Sequence, residues 1–358
     1  MSWLLAFVGF ALLIILHELG HFAAAKAVGM RVERFALFFP PLIARKKIGD
    51  TEYAIGAIPL GGYVKISGMN PSEDLPDEVR TRAYYAQPVW KRVVVIAAGP
   101  AVNLVLAFLL LLLFFGGIGA RDVTSKVDVI DRNLPAAGIL QQGDRLVAVD
   151  GKRGSPGELS QLIAGHRCPQ RPPVAGCRAA EPATVTVERD GAQRRFEITP
   201  VYDPDTRRMR VGFQYATTHT RLGFGEAVDV SLDRFWFVTR ETLTLPAKIV
   251  DPEQRQEISG VVGSYETTRQ TILADASDAV VILAIISLSL AIVNLFPFLP
   301  LDGGHIFWAI VEKIRRTPVS YATMERAGLV GFMLVIGLFL IGLSNDIDRL
   351  SGEGFGVR

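Results

Sequence analysis

The first residues of this chain that could do chemistry are His17, Glu18 and His21, which form the pattern His-Glu-x-x-His. Residues four apart share one face of a helix, so both imidazoles can reach one metal ion, with the Glu18 carboxylate beside it. Zinc takes neutral nitrogen ligands and keeps a position open for water, and a nearby carboxylate can accept the proton of that water. The spacing therefore predicts a zinc site with Glu18 as general base.

The surroundings of this pattern are apolar. Residues 3–16 include no charged side chain and residues 22–25 are again apolar, so the pattern lies in a segment long enough to cross a bilayer. Each ionisable group there costs about 2.5–3.5 kcal/mol, so three within five residues imply a partner that offsets the cost. A pair of helix-packing histidines is a weaker interpretation. A cleaved signal peptide fails because no basic residue precedes the apolar run.

Composition indicates a polytopic α-helical membrane protein. Hydrophobic residues make up 49% of the 358 residues. Apolar runs of spanning length recur, which predicts about four spans, a membrane-associated β-element and one inserted β-rich domain. The net charge is +2 and Lys and Arg are spread along the chain. We therefore expect the lipid bilayer as a partner, and no nucleic acid.

Basic residues orient the first span. None precedes it, whereas Lys26, Arg31 and Arg34 follow it, so the positive-inside rule places residues 26–92 in the cytoplasm. The zinc motif then lies near the cytoplasmic leaflet, and the inserted domain lies outside. Cys168 and Cys177 of that domain are expected to form a local disulfide, with two free thiols as the alternative.

Residues 30–67 are too apolar for a solvated loop, and their Gly and Pro residues argue against a helix. Rough alternation of apolar and polar positions predicts short strands that dip toward the membrane and pack over the metal site. A hairpin lying on lipid head groups is the competing interpretation.

Two later features are interpreted as packing elements. Asn103, inside the second apolar run, is expected to hydrogen-bond a neighbouring helix rather than to act in catalysis. Residues 224–245 show apolar positions at helical spacing, which predicts an amphipathic helix at the outer membrane interface or on the inserted domain.

The polar insert shows the pattern of a small β-rich domain. Alternating runs at residues 184–188 and 195–198 are joined by the turn pair Asp190-Gly191, and a helical pattern lies near residues 157–163. The insert resembles a PDZ domain of the kind associated with bacterial proteases. PDZ domains add an extended chain to a sheet edge, so the resemblance implies a peptide or chain-end ligand.

A second polar group follows Pro297 and Pro300, which break the helix of the third apolar run. Asp302 and His305 are both candidates for a third zinc ligand. They share a face only if the chain is helical there, which Gly303-Gly304 disfavours. From the residues alone, both candidates remain open.

Taken together, His17-Glu18-x-x-His21 and Asn294-x-x-Pro297-x-x-Pro300-x-Asp302-Gly303 resemble the site-2 protease family of intramembrane zinc metalloproteases. The likeness is to its bacterial members, which act in regulated intramembrane proteolysis and carry PDZ domains. Gly61-Gly62-Tyr63-Val64-Lys65 and Gly99-Pro100-x-x-Asn103 match further landmarks of the family. Two departures are the single PDZ-like domain and Val261, which stands where the family has proline.

The resemblance implies a role for each matching residue. His17, His21 and Asp302 would bind Zn²⁺, Glu18 would be the catalytic base, and Asn294 would hold substrate or the transition state. Gly61, Gly62, Tyr63 and Val64 would belong to a membrane-reentrant β-element that guides substrate. His305 would support the site without binding zinc.

The implied activity is zinc-dependent endopeptidase cleavage of single-span membrane proteins, such as anti-sigma factors or signal peptides, by a multi-pass protein of the cell inner (plasma) membrane. A catalytically idle membrane adaptor or chaperone that binds partners through its PDZ domain is the alternative. The intact Glu18 argues against it.

We divide the chain accordingly. The predicted segments are a first span with the zinc motif (1–26), a cytoplasmic-side loop with the reentrant β-element (27–92), a second span (93–119), the PDZ-like domain (120–204), a linker with the amphipathic helix (205–278), a third span (279–300), the Asp-Gly turn and cytoplasmic loop (301–326), and a fourth span with the tail (327–358).

Overall fold

The computed structural model describes residues 2–70, 73–204, 206–256, 258–275 and 277–351. The chain forms two compact units. Residues Met1–Gly117 and Leu222–Arg358 make up one, called the membrane unit below, and Ile118–Arg221 make up the other, called the inserted unit. The predicted tail, from residue 352 onward, lies outside the described residues.

The helices are α1 (Ser2–Ala27), α2 (Asp77–Arg80), α3 (Val89–Leu112), α4 (Pro156–Ala164), α5 (Phe224–Leu243), α6 (Leu245–Val250), α7 (Pro252–Arg255), α8 (Val261–Ala274), α9 (Asp278–Asn294), α10 (Asp302–Arg315) and α11 (Tyr321–Ser351). A π-helical segment, Leu113–Ile118, continues α3. The strands are β1 (Val32–Ile48), β2 (Thr51–Ile66), β3 (Ala120–Ile130), β4 (Arg145–Val149), β5 (Lys152–Arg153), β6 (Ala183–Arg189), β7 (Ala192–Ile198), β8 (Val201–Asp203), β9 (Arg208–Arg210) and β10 (Phe213–Thr220).

Among the described residues, three helices are long and apolar enough to cross a membrane: Trp3–Ala27, Val89–Ile118 and Ala322–Ser351. The segment predicted as the third span, 279–300, contains the shorter apolar helix α9, which ends at Asn294. Pro297 and Pro300 explain this early end, because proline lacks the N–H that a helix interior requires. Residues 295–301 form a tight connection between α9 and α10.

Helix α3 is the centre of the membrane unit, because α1, α5, α9 and α10 all pack against it. The close approach of α1 depends on Gly20, where a Cβ atom would lie 2.7 Å from the carbonyl oxygen of Ala98. Helix α5 packs through Val238 on α3 and α9. The predicted amphipathic helix is therefore present, and its buried residues pack on helices of the membrane unit. Leu232, Trp236 and Leu243 of the predicted apolar face are exposed, and the location at the outer membrane interface stays a prediction.

Where short strands were predicted, the chain forms one hairpin of two long strands, β1 and β2, and each strand bends back. Residues 34–37 of β1 pair with residues 52–55 on one side and with residues 62–65 on the other. Residues 52–55 pair in turn with residues 44–47. The resulting order places residues 62–66 as an outer strand, next to α1.

The inserted unit contains an antiparallel sheet of order β10-β3-β4-β6-β7, with β5 beside β4. The predicted hairpin around Asp190-Gly191 is confirmed, and both turn residues have positive φ. The predicted helix is α4, which begins with a capping box between Ser155 and Glu158. The predicted disulfide joins Cys168 to Cys177.

The unit runs from Ile118 to Arg221, so the predicted end at residue 204 is too early. Strand β10 belongs to it because β10 pairs along β3, with Ala120 opposite Thr220. Beyond this pairing, the Leu222 N–H donates to the Phe115 carbonyl oxygen over 3.0 Å. The chain therefore leaves the membrane unit and returns to it at one place.

Candidate active site

Three potential metal ligands converge inside the membrane unit. His17 and His21 lie on one face of α1, and Asp302 is the first residue of α10. Oδ2 of Asp302 lies 3.2 Å from Nε2 of His17 and 3.3 Å from Nε2 of His21. The two Nε2 atoms are 3.2 Å apart. Both histidines are buried, with relative exposures of 6% and 7%.

These distances fit a zinc ion. Tetrahedral zinc with ligands at about 2.0–2.1 Å separates its ligand atoms by about 3.3 Å. Oδ2 of Asp302 is also buried and, within the described structure, has no hydrogen bond of acceptable geometry despite its two close neighbours. A buried carboxylate oxygen in that state calls for a cation, and a set of two imidazoles and one carboxylate is a zinc donor set.

Helix α10 brings Asp302 and His305 to the same wall, which corrects the sequence interpretation of Gly303-Gly304. Both glycines lie inside the first turn of α10. A Cβ at Gly303 would lie 2.1 Å from the Leu295 carbonyl oxygen, and one at Gly304 would lie 2.4 Å from the Leu299 nitrogen. The glycines thus let the helix start against the preceding connection rather than preventing a helix.

Helix α3 holds the two imidazoles from behind. Nδ1 of His21 lies 2.9 Å from the Val95 carbonyl oxygen, and Nδ1 of His17 lies 3.3 Å from Nδ2 of Asn103. Gly99 lies between these two positions, and a Cβ there would be 2.2 Å from Nε2 of His21. The prediction that Asn103 hydrogen-bonds a neighbouring helix is confirmed, and its partner there, His17, is a candidate ligand.

A sequence signal for this role was available. Val95, Gly99 and Asn103 are spaced four apart, as His17 and His21 are. Two helices whose functional residues share that period can face each other along one line.

The remaining predicted residues line one cavity of about 470 Å³ with the ligands. Glu18 faces the outer strand of the hairpin, since a Cβ at Gly62 would lie 3.1 Å from Cγ of Glu18. The other predicted residues on the cavity wall are Gly61, Tyr63, Val64, Asn294 and His305.

A second, larger cavity of about 800 Å³ lies in the same unit and is mostly apolar. Ile14 and Leu290 line both cavities, so the apolar space borders the site. Its other walls come from α5, α6, α7, α8 and α11 and from residues 258–260.

Comparison with known proteins agrees with this geometry. The model of peptidase family M50 matches residues 5–338. Relatives that carry the name "Putative zinc metalloprotease" include a protein of Agrobacterium fabrum, 29% identical over 96% of this chain and 94% of its own, and one of Clostridium perfringens, 29% identical over 96% and 97%. One of Campylobacter jejuni is 27% identical over 95% of this chain and 92% of its own. The chain therefore belongs to peptidase family M50, the site-2 protease family of membrane-embedded zinc metalloproteases.

Proposed function

We propose that this protein is an intramembrane endopeptidase that cleaves single-span membrane proteins within or near the bilayer. In this proposal His17, His21 and Asp302 bind zinc, and Glu18 is the general base. The observation that carries it is the convergence of three ligand atoms beside Glu18 in a unit whose helices are long enough to span a membrane.

The proposed roles of the metal and of the surrounding side chains follow from their chemistry. Zinc bound there would polarise the scissile carbonyl and lower the pKa of a water molecule to about 7. The Glu18 carboxylate takes the proton of that water and passes it to the nitrogen of the leaving amine. Asn294, which lines the cavity, is the proposed hydrogen-bond partner of substrate or of the developing oxyanion.

The substrate must be unwound before it is cut, because the carbonyl groups of a helix are engaged in its own hydrogen bonds. The freed backbone groups then need partners, each worth several kcal/mol in hydrocarbon. Residues 62–66, an outer strand beside Glu18, are the proposed source of these partners. We propose that substrate adds to this strand as an extended segment.

The apolar cavity is the proposed position of the still-helical part of the substrate. Its volume of about 800 Å³ falls within the range of about 300–1,000 Å³ that ligand pockets span. Because it borders the site at Ile14 and Leu290, one substrate chain can occupy both spaces.

The proposed topology has four spans in the cell inner (plasma) membrane, with α9 as the shorter one. Basic residues flank the motif side of α1, which supports an active site near the cytoplasmic leaflet and an inserted unit outside. The inserted unit is proposed to act as a PDZ domain that binds peptide or chain-end ligands. The adaptor alternative is not favoured, because the ligand cluster and Glu18 are both intact.

Two variants in the full chain test the assignment with a single-span substrate. Glu18→Gln should bind zinc normally and lose cleavage, because the substitution removes the base and spares the ligands. His17→Ala should lose both zinc and cleavage. Zinc content of the purified protein and cleavage products are measured in parallel. Cleavage by Glu18→Gln at the parental rate would overturn the assignment.

A further inference from the structure

The two candidate ligand imidazoles are held at Nδ1 by partners of different kinds. The partner of His21 is a backbone carbonyl oxygen, which can only accept a hydrogen bond. It therefore keeps the proton of His21 on Nδ1 and leaves the Nε2 lone pair for a metal. The partner of His17 is the carboxamide of Asn103, which can present either an acceptor or a donor.

The orientation of that carboxamide decides which nitrogen of His17 carries the proton. With Nδ2 of Asn103 toward Nδ1 of His17, the ring nitrogen accepts and the proton sits on Nε2, the atom that points at Asp302. A protonated Nε2 has no lone pair for zinc. A half-turn of the Asn103 amide exchanges the positions of Oδ1 and Nδ2. Oδ1 then accepts a hydrogen bond from Nδ1–H of His17.

The surroundings of Asn103 permit this use of Oδ1. Asn103 has a relative exposure of 0%, and its Oδ1 has no hydrogen-bond partner among the described residues. The backbone is held separately, since the Ser287 hydroxyl on α9 donates to the Asn103 carbonyl oxygen over 2.9 Å. The side chain can therefore turn without loss of the helix contact, and Nδ1–H of His17 is the donor that Oδ1 can reach.

We propose that Asn103 is a positioning residue that selects the metal-binding tautomer of His17, by accepting the Nδ1–H hydrogen bond through Oδ1. The inference rests on the zinc site of the proposed function. Partners of this kind fix the ring orientation and tautomer of a ligand, and their loss costs about 10–100-fold in metal affinity.

The test measures zinc affinity by chelator competition on the full chain in detergent, in a Glu18→Gln background so that cleavage plays no part. Asn103→Leu, which removes the acceptor at similar volume, should weaken zinc binding about 10–100-fold. Asn103→Asp keeps an acceptor oxygen and loses the donor, so it should bind zinc as tightly as the parent or more tightly. Ser287→Ala is the matched control and should leave the affinity unchanged.

Three outcomes overturn the inference. Parental affinity in Asn103→Leu would show that the tautomer needs no partner. Equal losses in Asn103→Asp and Asn103→Leu would show that the amide acts as donor or as a structural residue. Absence of zinc from the Glu18→Gln parent would instead overturn the zinc site itself, and the inference with it. If Asn103→Leu does not fold, Asn103→Ala takes its place against the same control.

Discussion

Gly99 shows how strictly the site constrains a residue that does no chemistry. A Cβ at this position would occupy space that the imidazole of His21 fills, at 2.2 Å from Nε2. The contacting atom belongs to a ring held at Nδ1 by the Val95 carbonyl, so the ring has little freedom to move aside. The absence of a side chain at Gly99 is thus a requirement of the metal site.

We expect Gly99→Ala to displace His21 and to lower zinc content severely, with loss of cleavage. Zinc content of the purified protein checks this directly. Gly337→Ala in α11 is a suitable control, because no atom lies within 4 Å of the added Cβ and alanine favours a helix. Normal zinc content in Gly99→Ala would contradict the geometry.

The roles of single residues were predictable from the sequence where helical spacing alone brings the residues together. His17, Glu18 and His21 follow from local spacing alone, because four residues make about one turn. The hydrogen bond of Asn103 to a neighbouring helix was predictable, but its partner was not. The four-residue spacing that Asn103 shares with Gly99 marks one face of α3 and does not identify a residue 86 positions away. The choice between Asp302 and His305 needed the three-dimensional approach of α10 to α1.

Among the structural elements, the hairpin also shows that contacts between distant segments are not predictable from local sequence. Its strands were predictable from alternation and from Gly and Pro, but their order was not. Residues 34–37 pair on both sides, so β1 lies inside the sheet and residues 62–66 lie at its outer edge. Register and order depend on which apolar faces are buried, and that is decided by α1 rather than within the hairpin.

The outer strand leads to a cross-linking prediction. A Val64→Cys variant in a Glu18→Gln background should form disulfides with single cysteines placed along a substrate. The efficient positions should recur every second residue, as in a paired strand. Ile48→Cys, at the exposed end of β1, is the control and should cross-link poorly. A period of three to four residues would indicate a helical substrate and would contradict strand addition.

Helix α11 is joined to the start of α8 by a buried carboxylate. Asp346 has a relative exposure of 0% and accepts hydrogen bonds from the backbone N–H groups of Gly260 and Gly263 at 3.1 and 2.7 Å. These amides open α8, where the helix dipole also favours a negative charge. The glycines are required, since a Cβ at Gly263 would lie 2.3 Å from Asp346 Oδ1.

Asp346→Ala should lower the stability of the membrane unit by about 2 kcal/mol or more, because two buried donors lose their acceptor. Thermal unfolding of the purified protein measures the change. Asp348→Ala, at an exposed position of the same helix, is the control and should have little effect. Equal shifts in both variants would contradict a specific role for Asp346.

For the whole molecule, the fold class was largely predictable because bilayer thickness sets the length of spanning helices. The domain end at residue 204 was wrong because β10 returns to pair with β3 across the whole unit. Such non-local pairing leaves no signal in the nearby sequence.

The proposed topology predicts which sites an impermeant thiol reagent reaches in intact cells. Cys168 and Cys177 should react only after reduction, since they are joined in a disulfide that would face outside. In a variant with both replaced by serine, Asp50→Cys in the hairpin turn should stay unlabelled until the membrane is opened. Labelling of that position in intact cells would reverse the orientation.

The paired ends of the inserted unit have a consequence for chain entropy. Leu222 is hydrogen-bonded to Phe115 where the chain leaves the membrane unit, and Ala120 pairs with Thr220 where the inserted sheet begins. The closure entropy of a loop grows only slowly with its length, and here a ribbon of two strands already holds the ends together. The inserted unit therefore joins α3 to α5 as a tight turn would, because its two ends are held together. A longer or shorter inserted unit would change the closure entropy of this connection only slightly.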